Sequence, residues 1–90
     1  MLVDDEEDTV LSITASLEHN GFKVDGFTDP KLALEQFTKG KYVMVIVDVR
    51  MPEIDGFELY EKLEEIDKDV KVCFITGFDF NYLALREIYP

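Results

Sequence analysis

An open α/β fold, with helices on both faces of a doubly wound parallel sheet, is what this chain predicts, and three observations carry the prediction. Strand-like apolar runs alternate with segments of helical periodicity along the chain. Two of the apolar runs end abruptly in carboxylate: Met1-Leu2-Val3 in Asp4-Asp5-Glu6-Glu7-Asp8, and Tyr42-Val43-Met44-Val45-Ile46-Val47 in Asp48. Turn signals separate the segments, and four consecutive strand–helix units imply right-handed crossovers between parallel strands.

Residues 2–4 form the stub of a first strand. Val10, Ile13 and Leu17 recur at helical spacing, so a helix is expected from about Asp8 to the stop signal Asn20-Gly21, with acids in its first turn where the helix dipole favours them. Residues 22–27 alternate apolar and polar side chains, the pattern of a strand exposed on one side or at an edge. Asp29-Pro30 then caps and starts a second helix whose apolar stripe is Ala33, Leu34 and Phe37, ending before Gly40. Residues 43–47 are continuously apolar and read as a central strand. Met51-Pro52-Glu53-Ile54-Asp55-Gly56 is a loop by its Pro and Asp-Gly content, and it leads into a helix with Leu59, Leu63 and Ile66 on one face. A fourth strand is expected over residues 70–76 and a fourth helix over residues 82–88, stopped by Pro90.

Ninety residues make one domain, spanning residues 1–90, and a chain of that length buries only about 60–65% of its unfolded surface. Its 47% hydrophobic content lies outside the disordered range, although 32% of residues are charged. A net charge of −11 argues against direct binding to nucleic acid or to an anionic membrane and favours metal ions and basic partners. The single cysteine, Cys73, sits in an apolar run as a small buried residue and excludes a disulfide within the chain. Without a span of apolar residues or a signal-peptide order, a soluble, cytoplasmic protein is expected.

The carboxyl ends of the strands in a parallel sheet share one ridge, which is where open α/β sheets bind ligands. If strands one and three are neighbours, Asp4, Asp5 and Asp48 converge there. Carboxylates that close raise one another's proton affinity unless a cation joins them. Mg²⁺ suits such a site, because it takes one or two carboxylates and keeps waters and phosphate oxygens as further ligands. Adjacent acids ahead of a helix are also common as caps, so capping stands beside metal binding as a reading of Asp4 and Asp5.

Asp48 at one strand end, Asp4-Asp5 at another, Met51-Pro52 and Asp55-Gly56 at fixed offsets, and Thr76-Gly77 after the next strand together resemble the receiver domain of a two-component response regulator. The likeness covers essentially the whole chain. It rests on the strings Leu-Val-Asp-Asp-Glu and Val-Asp-Val-Arg-Met-Pro-Glu-Ile-Asp-Gly in combination. It implies a flavodoxin-like fold with strand order 2-1-3-4, and a phosphoacceptor that takes a phosphoryl group from a histidine kinase or phosphotransfer protein in a Mg²⁺-dependent reaction, altering partner binding. By the same resemblance Asp48 is the phosphoacceptor, Asp5 a direct Mg²⁺ ligand, and Asp4 a ligand through water. The backbone carbonyl of Arg50 fills a further metal position, and Thr76 hydrogen-bonds the phosphoryl group as part of the switch. Arg50 and Phe78 would tune water access, with bulky Phe78 implying slow self-dephosphorylation and no enzymatic role beyond self-phosphorylation and its reversal.

A complete member of that family would continue with a fifth strand, a lysine followed by proline, and a fifth helix, whereas this sequence ends at Pro90 with no lysine after Lys71. The expectation is a C-terminally incomplete receiver whose exposed fourth strand or fourth-helix face promotes self-association into a dimer. The alternative is a non-signalling receiver remnant acting as a metal-binding or self-associating module. A haloacid-dehalogenase-like phosphatase would need a second Asp two residues beyond Asp48, a position held by Arg50, and the sequence carries no phosphate-binding Gly-Lys-Ser/Thr loop.

Overall fold

The computed structural model describes residues 1–75. Seven elements follow one another in strict alternation: β1 (Leu2–Val3), α1 (Glu7–His19), β2 (Gly26–Phe27), α2 (Pro30–Gln36), β3 (Val45–Asp48), α3 (Gly56–Ile66) and β4 (Val72–Ile75). All strand pairings are parallel and the sheet order is β2-β1-β3-β4, so the chain reverses direction across the sheet between β2 and β3. That is the doubly wound arrangement expected from the alternation of patterns. The fourth helix expected over residues 82–88 lies outside the described residues.

Side-chain alternation along the strands builds two apolar layers. Val3, Val45 and Val47 face Ala33 and Phe37 of the α2 region and Leu59 and Leu63 of α3. Leu2, Ile46, Cys73 and Ile75 face Val10 of α1, with Ile13 and Leu17 packed alongside. The reading of Cys73 as a small core residue holds, since it is buried beside Leu2, Ile46 and Ile75. On α3, Leu59 and Leu63 are fully buried while Ile66, the third member of the expected stripe, is 42% exposed at the helix end.

Caps fix where the second and third helices begin. Asp29 accepts a hydrogen bond from the Lys31 N–H at 2.9 Å, with Pro30 at the first helical position, and Asp55 accepts from the Glu58 N–H at 2.9 Å. The α1 N-cap is Glu6, whose side chain makes no capping bond. Phe37 closes α2 as an extended C-cap residue and turns its ring into the core.

Two strands are shorter than the residue patterns suggest. Only Gly26–Phe27 of the alternating run 22–27 pairs, because the neighbouring strand β1 offers two residues; Phe22 is left 62% exposed. Val43 likewise precedes β3 and is 91% exposed, since the ladder to β4 begins at Val45↔Val72. Among the described residues, no helix is long and apolar enough to cross a membrane.

Candidate functional site

β1 and β3 are hydrogen-bonded neighbours, with Leu2 opposite Ile46 and Val3 opposite Val47. Each strand is followed or ended at the same ridge by acid. Asp4, Asp5 and Asp48 each direct a carboxylate oxygen to a common point, the three oxygens lying within 4.8 Å of one another. Among the described residues this is the group suited to a metal ion. Asp4 and Asp48 are 3% and 8% exposed, whereas Asp5 opens to solvent. An ion held here would be gripped from inside the fold and reached from outside it.

Asp4 does not cap α1, whose N-cap is Glu6, but it bonds the backbone just ahead of that helix. Its Oδ1 accepts the Glu6 N–H at 2.9 Å, which turns the chain from β1 towards α1, and it still contributes to the trio. Asp48 does the same on its own loop, its Oδ1 accepting the Arg50 N–H at 3.2 Å. That bond ties to the Asp48 carboxylate the backbone of the residue whose carbonyl is the expected metal ligand.

Electrostatics record the crowding. Burial pushes the Asp48 carboxyl up from 3.8 to about 6, the Asp4 and Asp5 charges add to the rise, and the Arg50 N–H opposes it. Asp4 is also raised, by burial first and then by Asp5 and Glu6, against the pull of the Glu6 N–H. With Asp4 and Asp48 both raised, the three carboxylate oxygens are a donor set that Mg²⁺ fits, because the ion offsets the gathered negative charge and accepts carboxylate and carbonyl oxygen alike.

The loop that carries Arg50 is tightly built. The Gly56 N–H donates to the Val49 carbonyl at 3.0 Å, and a Cβ placed on Gly56 would stand 2.5 Å from the Asp48 carbonyl oxygen and 2.9 Å from Val49 Cα. Glycine is therefore required at residue 56 by close approach to the strand end that bears Asp48. Between them, the Ile54 N–H donates to the Pro52 carbonyl at 2.8 Å across Glu53, whose φ is +66°. This is a γ-turn of the strained, positive-φ kind, a conformation that disfavours a glutamate by about 1–2 kcal/mol. The Glu53 carboxylate in turn meets the Lys31 ammonium of α2 at 2.7 Å. The sequence marked this loop by its Pro and Gly but gave no sign of Glu53 or Lys31; an Asn or Gly at residue 53 would have signalled the turn.

Thr76 follows β4 directly and, like Gly77 and Phe78, lies outside the described residues. The end of β4 does reach the site's strand, with Ile75 paired to Asp48 and its carbonyl accepting the Val49 N–H at 2.9 Å.

The family model for the response regulator receiver domain matches residues 1–88. The chain belongs to the response regulator receiver family. This receiver domain is 36% identical over 78 residues to the response regulator receiver protein CpdR of Brucella abortus, covering 87% of its own length and 65% of that relative. The response regulator TrrA of Thermotoga maritima, solved in complex with Mg²⁺-BeF, superposes with a TM-score of 0.79 at 31% identity, over 87% of this chain and 68% of that one. The same regulator solved in complex with the histidine kinase ThkA gives a TM-score of 0.78 at 30% identity, covering 88% of this chain and 68% of that one. Kinship with regulators of this kind identifies a signalling domain of a two-component system. It favours phosphoacceptor signalling over a metal-binding or self-associating remnant.

Proposed function

We propose that this receiver domain accepts a phosphoryl group on Asp48 from the phosphohistidine of a histidine kinase or phosphotransfer protein, and that the modification alters what the domain binds. A single observation carries the assignment to Asp48: a buried strand-end carboxylate whose oxygen lies within 4.8 Å of two further acids on the adjacent strand end. TrrA, a relative solved both with Mg²⁺-BeF and with its kinase, supports the choice of ion and of donor.

Asp5, Asp48 and the Arg50 carbonyl would hold Mg²⁺, with Asp4 acting through water; when bound, the ion offsets the negative charge gathered between carboxylate and phosphoryl oxygens. The remaining chemistry belongs to the chain. With its pKa at about 6, Asp48 is mostly ionised at neutral pH and available as the nucleophile. Its oxygen forms the new bond to phosphorus as the phosphorus–nitrogen bond of the donor histidine breaks and the imidazole takes up a proton. The Arg50 N–H, donated to Asp48 Oδ1, helps hold the carboxylate in place. Thr76 would donate its hydroxyl to the phosphoryl oxygen.

Incubation with Mg²⁺ and a small acyl phosphate, followed by intact mass measurement, tests the reading. Gain of one phosphoryl group, lost in Asp48→Asn and in excess chelator, is expected; labelling that survives Asp48→Asn overturns it. Slow self-dephosphorylation, attributed to Phe78, is part of the same proposal, and a phosphoryl half-life of only seconds would contradict it. The proposed setting is the cytoplasm. Self-association through β4, which stands at one edge of the described sheet, is proposed as well; sedimentation that returns a single monomer at high concentration would rule it out.

A further inference from the structure

The geometry points to Lys31 as a positioning residue for the metal site: through its ion pair with Glu53 it holds the strained γ-turn at residues 52–54, and so the course of the loop that presents the Arg50 carbonyl. The inference rests on the reading of Asp4, Asp5, Asp48 and Arg50 as the Mg²⁺ site.

Three contacts constrain this loop from within. Asp48 Oδ1 receives the Arg50 N–H at its start, the Val49 carbonyl receives the Gly56 N–H at its end, and the Pro52 carbonyl receives the Ile54 N–H at its centre. The first is anchored on β3, the buried strand that ends at Asp48, and the second on Val49, the residue that follows it. The central one is different, because it needs Glu53 at φ +66°, which a glutamate leaves readily for negative φ unless something restrains it. The Glu53 side chain is held by its 2.7 Å contact to the Lys31 ammonium. The backbone of Lys31 is fixed in turn, since its N–H is capped by Asp29 in the first turn of α2. A side chain on one helix thus meets the residue that holds the turn of a loop belonging to another unit, three residues beyond an expected ligand.

Both partners of the pair are well exposed, at 60% and 66%, so the contact contributes little to global stability. Its effect is local, on which of two backbone conformations residue 53 populates.

Removing Lys31 yields opposite signs under the two available accounts. If the lysine acted only as a nearby charge, Lys31→Met would make the ridge more negative and tighten Mg²⁺ binding. Acting as a restraint, its loss frees the turn and weakens binding, by roughly two- to fivefold, the weight of an exposed ion pair. Calorimetric titration of the full chain with Mg²⁺ reads that ratio, and amide exchange of Ile54 in metal-free protein reads the turn itself. Weaker Mg²⁺ binding and faster Ile54 exchange in Lys31→Met, restored in Lys31→Arg and without further effect in a Glu53→Gln background, are expected. Tighter or unchanged binding, or unaltered Ile54 exchange, overturns the role of Lys31 while leaving the site intact. Failure of the wild-type protein to bind Mg²⁺ overturns the site and this inference together.

Discussion

Asp48→Asn removes a charge that folding places in a dry, acid-lined strand end, and without divalent metal the variant is expected to be more stable than the parent. The magnitude follows from the rise in the Asp48 pKa from 3.8 to about 6. Each tenfold step in proton affinity is worth about 1.4 kcal/mol, so the ceiling is about 3 kcal/mol. Water at the open Asp5 side screens part of this, leaving about 1–2 kcal/mol. The sign is set by a folded-state value above the unfolded one: the penalty is fully present above about pH 6, fades as the pH falls through 6, and is gone below 3.8. Asparagine keeps an oxygen for the Arg50 N–H, so the comparison isolates the charge. Urea unfolding with chelator present, at about pH 8, would then show a midpoint raised by about 1–2 M, given a slope near 1 kcal/mol per molar for a chain this small. Excess Mg²⁺ narrows or reverses the order, because the parent gains more from the ion than a variant that has lost one of the three carboxylates. A variant no more stable than the parent at about pH 8 without metal, or an advantage that persists at about pH 4, would refute the electrostatic reasoning.

Other outcomes follow from the same geometry. Gly56→Ala forces a methyl group against the Asp48 carbonyl and Val49 Cα, and a loss of about 1–3 kcal/mol with weaker Mg²⁺ binding is expected by urea titration and calorimetry. Asp55→Ala deletes the α3 cap to the Glu58 N–H and lowers stability by about 1 kcal/mol, visible as a thermal midpoint lower by about 4–8 °C, while Mg²⁺ affinity stays close to that of the parent. Affinity for Mg²⁺ itself falls as pH drops through about 6, where Asp48 takes up a proton that the ion must displace; a flat titration between about pH 5 and 8 would contradict the involvement of Asp48.

The sequence conveys most of the frame because its strongest signals are one-dimensional. A continuous apolar run ending in Asp48, acids directly after Leu2-Val3, and Asp29-Pro30 and Asp55-Gly56 ahead of helical stripes each report a local choice that the fold respects. The ends of β2 and β3 were less legible, because pairing is decided by the partner strand: Phe22 and Val43 carry strand-like side chains with no ladder to join. Gly26 illustrates a second limit. A Cβ there would lie 2.6 Å from Val10 Cγ1, so the residue is chosen by a helix sixteen positions upstream, not by its own turn. The Lys31–Glu53 contact belongs to the same class, since nothing in either residue's neighbourhood announces a partner on another element.

β1 consists of two residues whose side chains enter opposite layers, Leu2 on the α1 side and Val3 on the side of α2 and α3, and both are wholly buried. A slip of one position would exchange these two and swing the following acids away from β3. Such a frame admits no half-correct alignment, so a destabilised variant divides between molecules with an intact acidic centre and molecules with none. Residual phosphorylation in such variants would then count correctly assembled molecules and not degrees of damage to the centre.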